Sequence, residues 1–495
     1  MGLMRFLVPP PSQISETAAR QVYISGTDQI PWRSDIRRQG DQLIIQRSVS
    51  DSGNVHVPWE VEGFGELVLS TGTLMERDAA YLLPVELARG KVNQVRNQLA
   101  DWQTIGLLVS DDVKARLHVA IEHFALAATT QHEPAAAVTH SQAAIRAAVE
   151  AGDRLVSCYV EQALEVRHRQ TPRLPTWLAA NIGHTKLDAT AADRFLAAFN
   201  TAVLPLVWRD IEAEEGRYDW DFYDASAQWC SQQGCRVIGG PLVRLDDRGL
   251  PDWLCLWEGD FDNLVSCVKD YVETAVNRYR GQVSLWQSAA RVNTGKVLAL
   301  SEEEKLRLAV SSIEITRGAD PDTPAIIRFD QPWAEYMSHE ELDLSPLHFA
   351  DALVRADLGL AGIGLEINMG YHPRGSWLRD RLDMNRLLDL WSCLGLPLLL
   401  SVTFPTSGAA DSLAWGQCAA VADGPAGGWT PASQRAFVEH YAPLMLSKPA
   451  VQAVIWNQYR DADRHEFPYG GLIEADGSPK PALAALTELR RRHLE

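Results

Sequence analysis

Basic residues are scarce in this chain of 495 residues, which has 46 Lys and Arg against 64 Asp and Glu and a formal charge of -18. Nucleic acids and anionic lipid surfaces both require basic patches, so this balance argues against either partner and favours a neutral or soluble ligand. The cysteines are odd in number, seven, and form neither a disulfide framework nor a metal-ligand motif. Histidine spacing indicates no metal site, and no cofactor fingerprint is present.

Long apolar runs are also missing. None reaches the length of a membrane span, and the N-terminus lacks the apolar core of a secretory signal. We therefore expect a cytoplasmic protein, or a secreted or periplasmic one if the natural chain begins earlier. The sequence predicts no oligomeric state.

Three zones of different composition follow one another along the chain. Residues 1–112 contain short alternating segments separated by turn residues, which predicts a β-sandwich-like domain. Such a domain either binds carbohydrate or is purely structural. Residues 113–170 change to helical periodicity with a break at 131–134, which predicts a helical hairpin that spaces the two flanking domains.

Residues 171–495 alternate apolar strand-like runs with amphipathic helical runs, the α/β pattern of successive βαβ units. Eight units over about 320 residues predict a TIM (β/α)8 barrel. In such a barrel the C-terminal ends of the strands meet at the active site. The predicted strands are 177–182, 201–207, 236–240, 283–288, 325–329, 362–367, 397–402 and 451–456.

The sixth predicted strand is the most informative stretch of the barrel. Its apolar run 360–365 is followed by Glu366, which lies where a strand delivers its polar side chains to the mouth. The fifth strand ends in a similarly polar stretch that contains Asp330 and Glu335. These three acids are the candidate catalytic groups.

Several motifs resemble glycoside hydrolase family 10, the xylanase family. The run Trp-Arg-Asp-Ile-Glu-Ala-Glu-Glu-Gly-Arg-Tyr-Asp-Trp at 208–220 is similar to the second barrel unit of that family. Gly-Gly-Pro-Leu-Val at 239–243 and Leu-Pro-Asp-Trp-Leu at 250–254 are similar to its third unit. Trp-Asn-Gln-Tyr-Arg-Asp at 456–461 and Asp-Gly-Ser-Pro-Lys-Pro at 476–481 resemble its last strand and closing helix. The resemblance spans residues 171–494 and implies a carbohydrate substrate.

Both carboxylates that the resemblance implies are absent from their expected positions. The family places its acid/base in a Trp-Asp-x-x-Asn-Glu motif, where this chain has Ala290 and Arg291 for Asn and Glu. The family's nucleophile on strand 7 corresponds to residues 400–404, which contain no acid. Retaining hydrolysis requires two carboxyl groups about 5 to 5.5 Å apart. The resemblance therefore implies that the acids have moved to strands 5 and 6, with Glu366 as nucleophile or base and Asp330 or Glu335 as its partner.

Polar and aromatic residues near the strand ends are the candidates for substrate binding, since aromatic faces stack on sugar rings. Arg291 in the place of an acid indicates an anionic ligand such as a uronic acid or sulfated sugar, or else it only neutralises Glu366. The predicted substrate-binding residues are Trp208, Arg209, Arg244, Gln287, Arg291, Asn293, Gln331, Trp333, Asn368, Tyr371, His372, Trp456, Asn457 and Gln458.

Different functions remain open from the sequence. One is a glycoside hydrolase that acts on a xylan-like or acidic polysaccharide or its oligosaccharides. Another is a barrel that has lost catalysis and binds glycan or serves as a scaffold, and a third is a lyase that uses Arg291 and Tyr371. The geometry of Glu366 discriminates between the first two. An acid partner about 5 to 9 Å away across an open pocket favours hydrolysis, whereas an arginine locked against Glu366 favours binding.

Overall fold

Two four-stranded sheets form the N-terminal part of the computed structural model, which describes residues 2–416 and 418–495. In the first sheet, alternate residues of the strand Gly2–Leu7 are buried, as expected for a sheet with one face on a core. The predicted N-terminal sheets are therefore confirmed. In sheet order the strands are Asp35–Gln39, Gln42–Arg47, Gly2–Leu7 and Tyr81–Leu82, then Pro31–Trp32, Tyr23–Ser25, Asn54–Val61 and Gly65–Ser70. The short helices Pro11–Gln13 and Glu16–Arg20 follow the first strand.

Three long helices connect these sheets to the barrel. Asp111–Thr129 and Pro134–Gln170 pack together as the predicted hairpin. The helix Leu83–Thr104 lies inside the zone predicted to be β-structure and was not foreseen. It packs directly on the second sheet, because a Cβ atom added at Gly90 would lie 1.9 Å from the carbonyl oxygen of Ser70. The domain boundaries at 112 and 170 stay a prediction.

A closed barrel of eight parallel strands follows, labelled β1 to β8 in chain order. Neighbouring strands pair in sequence, and the ring closes because β8 pairs with β1 and β3 pairs with β4. The TIM barrel prediction is therefore confirmed. The strands are β1 (Trp177–Asn181), β2 (Thr201–Leu204), β3 (Arg236–Gly239), β4 (Leu285–Ala290), β5 (Ala325–Asp330), β6 (Gly362–Asn368), β7 (Leu398–Thr403) and β8 (Val451–Trp456).

Amphipathic helices surround the barrel, and side-chain caps fix where several of them begin. Ser301 and Glu304 form a reciprocal capping box, and the Asp188 and Asp380 side chains accept hydrogen bonds from backbone N–H groups of the helices that they precede. The helices are Ala189–Ala198, Trp208–Ile211, Asp221–Gln232, Phe261–Tyr279, Glu302–Ala319, Pro346–Arg355, Arg381–Ser392, Pro431–Ser447 and Pro481–His493. The short elements in the loops are Val243–Arg244, Asp252–Trp257, Val297–Ala299, Glu335–Ser338, Tyr371–His372 and Ala419–Ala420.

The interior of the barrel changes from apolar to polar along its axis. Apolar side chains from seven of the strands, including Val203, Ile326 and Ile455, pack in one cluster inside it. Farther along the strands, the same inward face carries the polar residues of β5 and β6. No helix in the described part of the chain combines the length and apolar character required to cross a membrane.

Candidate functional site at the barrel mouth

The ends of β5 and β6 place their acids side by side. Asp330 and Glu366 are register partners, and Arg328 lies two residues before Asp330 on the same face. Gly364 is opposite Arg328, and a Cβ atom there would lie 2.9 Å from the Cβ and Cγ atoms of that arginine. The glycine therefore makes room for a buried guanidinium group inside the barrel.

Glu366 is locked against two arginines. Arg291 binds both carboxylate oxygens, and the Nε atom of Arg328 lies 3.3 Å from Glu366 Oε2. Asn368 Nδ2 donates a hydrogen bond to Glu366 Oε1 at 3.2 Å. Burial alone raises the pKa of Glu366, but the charges of Arg291 and Arg328 outweigh it and lower the pKa to about 2. The carboxylate is therefore ionised and fully partnered.

Arg291, in the place of the family's acid/base, is the centre of a buried ion-pair network. Besides Glu366, its Nη1 atom binds Asp246 Oδ2 at 2.8 Å and Glu466 Oε1 at 2.6 Å. Arg374 contacts the same two acids at 3.3 and 3.2 Å. Three loops, those after β3, β6 and β8, are thus joined over the end of β4.

Asp330 has a different environment from its neighbour. Its Oδ2 atom accepts hydrogen bonds from Thr294 Oγ1 and Gln331 Nε2, each at 3.3 Å, and its Oδ1 atom is buried without a partner. Within residues 2–416 and 418–495, no cationic side chain lies within ion-pair distance of it. Burial and the negative charge of Glu366 raise the pKa of Asp330 to about 6.

Two cavities meet at Arg291. The barrel-mouth pocket, of about 890 Å³, contains the predicted residues Arg244, Arg291, Glu366, Asn457 and Gln458 in its wall. The side cavity, of about 1240 Å³, is lined by Arg291 and by four other predicted residues. These four are Asp330, Gln331, Glu335 and His372.

Three predicted polar residues support the site from within. Asn293 Nδ2 donates to the backbone carbonyl oxygen of Asp330 at 2.8 Å, and Asn368 accepts a hydrogen bond from Asn457 at 2.9 Å. Gln287 is fully buried, and neither atom of its amide has a hydrogen-bond partner among the described residues. Asn293 and Asn368 therefore connect strand ends, whereas Gln287 makes no such connection.

The remaining predicted ligand residues lie away from both cavities. Trp208 stacks on Tyr271 in the core, the Tyr371 hydroxyl donates to the Pro468 carbonyl oxygen at 3.0 Å, and Trp456 Nε1 donates to the Gly470 carbonyl oxygen. Large aromatic groups at strand ends fill the barrel here, because burying them removes the most apolar surface from water. Trp208, Tyr371 and Trp456 therefore do not belong to the wall of either cavity.

Arg209 and Trp333 also have other partners. Arg209 donates to Asp252 Oδ2 at 2.6 Å, outside the pocket wall. Trp333 lies under the guanidinium group of Arg379, which also binds Glu335 and donates a hydrogen bond at 2.8 Å to the Tyr23 hydroxyl of the N-terminal sheet. Glu335 therefore ties β5 to the N-terminal domain.

Sequence reasoning missed the loop residues that complete the site. Asp246, Arg374 and Glu466 belong to the ion-pair network, and Trp415 and His184 line the barrel-mouth pocket. Asp246 closely follows a strand-like stretch, so the pattern of polar residues at strand ends could have predicted it. The others lie in long loops, where position along the chain gives no indication of position in space.

Comparisons with known proteins find a family match within the barrel and several similar solved structures. Residues 180–292 match the model of glycosyl hydrolase family 10. Xylanase 10B from Thermotoga petrophila RKU-1 in complex with xylobiose is 18% identical, with 68% of this chain and 96% of that chain covered and a TM-score of 0.48. A family 10 xylanase from Thermobacillus composti is 16% identical, with 63% and 96% covered and a TM-score of 0.48. An endo-1,4-beta-xylanase from Caldicellulosiruptor owensensis is 14% identical, with 66% and 98% covered and a TM-score of 0.48.

The family match covers β2, β3 and β4 in full, and with them the unit whose motif lacks the acid/base. The strand order supplies the closed parallel ring independently of any relative. The motif at 208–220, the family match and the ring together make the chain a divergent, glycoside hydrolase-like protein of the family 10 type.

Proposed function

We propose that this protein binds carbohydrate at the barrel-mouth pocket without hydrolysing it. The observation that supports this proposal is the state of Glu366, whose carboxylate is held by Arg291 and Arg328 with its pKa lowered to about 2. A carboxylate that is paired in this way is a weak base and a weak nucleophile, because reaction would require breaking buried ion pairs.

The general acid of a hydrolytic dyad is also missing from its expected place, which Arg291 takes. A general acid must release a proton near the working pH, and a guanidinium group stays protonated throughout that range. Arg291 therefore cannot replace the glutamic acid whose place it takes. Its three carboxylate partners make it a structural cation that holds the mouth in one shape.

The pocket nevertheless keeps features that suit a sugar. Trp415 is half-buried in its wall, with the His184 ring 6.3 Å away and the Arg248 guanidinium group 5.0 Å from its ring centre, and it supplies an aromatic group for contact with a pyranose. Asn457 and Gln458 supply amide groups from the end of β8. A few polar groups beside an aromatic surface in a concave site are typical of small-ligand recognition.

Calorimetric titration with a panel of plant and algal oligosaccharides tests the proposal. We expect at least one ligand to bind, with Trp415→Ala weakening its affinity at least tenfold. Trp257→Ala is the matched control, since this tryptophan is partly exposed and lies outside the pocket wall. Equal losses in the two variants, or no binding by the wild type, would contradict the proposal.

Residual hydrolysis is the second candidate, and one observation favours it. Asp330 has a pKa raised to about 6, which suits a general acid, and it neighbours Glu366 in register. A reducing-end assay on every ligand that binds decides between the two functions. If turnover occurs and both Asp330→Asn and Glu366→Gln abolish it while binding persists, hydrolysis replaces binding alone as the function.

A further inference from the structure

Arg244 makes few bonds for an arginine at the barrel mouth. It belongs to the short strand Val243–Arg244, which pairs with the end of β4. Its Nε atom donates to Asp246 Oδ1 at 3.0 Å. The terminal Nη1 atom is 3.9 Å from Glu466 Oε2, beyond hydrogen-bond distance, and the buried Nη2 atom has no partner among the described residues. The forked end of this guanidinium group therefore has one long ion-pair contact, at Nη1, and an unpartnered Nη2 atom.

Three other arginines in the same wall have ion-pair partners of their own. Arg291 contacts three carboxylates, the Arg328 Nε atom lies 3.3 Å from Glu366 Oε2, and Arg460 binds Asp463 and the Thr185 hydroxyl. Arg464 is exposed at the rim. Five arginines and three carboxylates line the pocket, so its wall carries an excess of positive charge although the whole chain carries -18. This local reversal of sign attracts an anion.

We propose that the pocket selects sugars with an anionic group, a carboxylate or a sulfate, and that Arg244 binds this group through Nη1 and Nη2. The inference rests on the proposed carbohydrate-binding function and gives its ligand class. Planar guanidinium forks pair with two oxygens of such groups at once, which a lysine cannot do. Asp246 holds Nε and makes no bond to Nη2, so it acts as a positioning residue for Arg244.

Titration of the wild-type protein with matched pairs of ligands tests this inference without any substitution. One arm compares oligogalacturonate with its neutral methyl ester, and the other compares a sulfated galactan oligosaccharide with its desulfated form. We expect the charged member of at least one pair to bind at least tenfold more tightly, and the arm in which this occurs identifies the anionic group. Equal affinity within both pairs would overturn the inference while leaving sugar binding intact. No binding of any oligosaccharide would instead overturn the proposed function itself.

Substitution then assigns the selectivity to one side chain. Arg244→Gln should lower affinity for the charged ligand at least tenfold and leave affinity for its neutral partner within about twofold, which also shows that the variant is folded. Arg217→Gln is the matched control, because it removes the same charge from an exposed residue outside the pocket wall. If the Arg217 variant loses as much selectivity as the Arg244 variant, net charge rather than Arg244 selects the ligand and the inference fails.

Discussion

The ends of β5 and β6 carry acids that are register neighbours, yet their surroundings give them opposite character. Asp330 and Glu366 are 2% and 1% exposed, so burial penalises the charge of both. Glu366 touches two arginines and has its pKa lowered to about 2, whereas Asp330 touches none and has its pKa raised to about 6. Cation contacts, not depth, separate the two carboxylates.

This comparison explains how a barrel can keep acidic residues at its mouth without using them for catalysis. A buried carboxylate surrounded by guanidinium groups belongs to the scaffold, because its removal leaves unpaired buried charge. A buried carboxylate without such contacts is held at a cost in stability and can exchange a proton near neutral pH. Each of the following variants tests one side of this contrast.

Arg291→Met should have the largest effect. It removes the cation shared by Asp246, Glu366 and Glu466, and breaking a buried pair in this way costs about 3 to 5 kcal/mol. Urea-induced unfolding at pH 7 measures the loss in the free energy of unfolding. The surface pair of Arg209 with Asp252 provides the control, and Arg209→Met should cost less than about 1 kcal/mol. Equal losses would mean that Arg291 does not hold the mouth together.

Glu366→Gln should lower the free energy of unfolding by about 3 kcal/mol at pH 7, since the pKa falls from 4.5 to about 2 on folding. Because the folded-state pKa is depressed, this stabilisation is present above pH 4.5 and is lost as the pH falls towards 2. Unfolding followed between pH 7 and pH 3 should show the variant and the wild type converging. The exposed Glu303→Gln should show no such convergence, and a constant gap for Glu366→Gln would refute the ion-pair account.

Asp330→Asn should change stability in the opposite direction. The folded-state pKa of Asp330 is raised from 3.8 to about 6, so the wild type loses stability as the pH rises through this window. We expect the variant to be about 1 to 2 kcal/mol more stable at pH 7, because the full shift is worth about 3 kcal/mol and the new amide donor needs a partner. Unfolding at pH 4 and pH 7 measures this, and a variant less stable at pH 7 than at pH 4 relative to wild type would contradict it.

Glu335→Gln should have the smallest effect, a loss of about 1 kcal/mol. This acid follows β5 but has one arginine partner, Arg379, at the contact with the N-terminal sheet. Unfolding of the variant in urea measures the loss. It should lie between the loss expected for Glu366→Gln and the gain expected for Asp330→Asn. A loss as large as that of Glu366→Gln would show that one arginine contact is as effective as two.

The barrel was predictable because its signals are local. All eight predicted strands overlap the observed ones, since buried parallel strands are continuous apolar runs that polar and turn residues interrupt. The helix Leu83–Thr104 was missed because its buried face includes Glu86 and Lys91, which obscure an amphipathic pattern. The charge of Lys91 is paired there with Asp380, nearly three hundred positions away in the chain, and its ammonium group also donates to Gln94.

The roles of the site residues were less predictable, because they depend on contacts that local sequence patterns do not show. Glu366 was predicted because it ends a strand, and Arg291 and Arg244 because they take the places of family 10 site residues; all three line one pocket. The strand-end rule also selected Trp208 and Tyr371, whose side chains turn into the core. Trp415 and Glu466 come from loops, and no periodic pattern marks such residues. The catalytic and binding roles of the predicted residues stay predictions until the variants above are measured.

The sequence by itself determined the ring of strands, the missing carboxylates of strands 4 and 7, and the overall negative charge, because each depends on residue identity or short-range pattern. Only the tertiary structure decided that Glu366 is held by Arg291 and Arg328 while Asp330 has no such contact, and that the Nη2 atom of Arg244 is left without a partner among the described residues. Pairing between charges depends on distances of a few ångströms between side chains from different strands and loops, and those distances exist only after the chain has closed into a barrel.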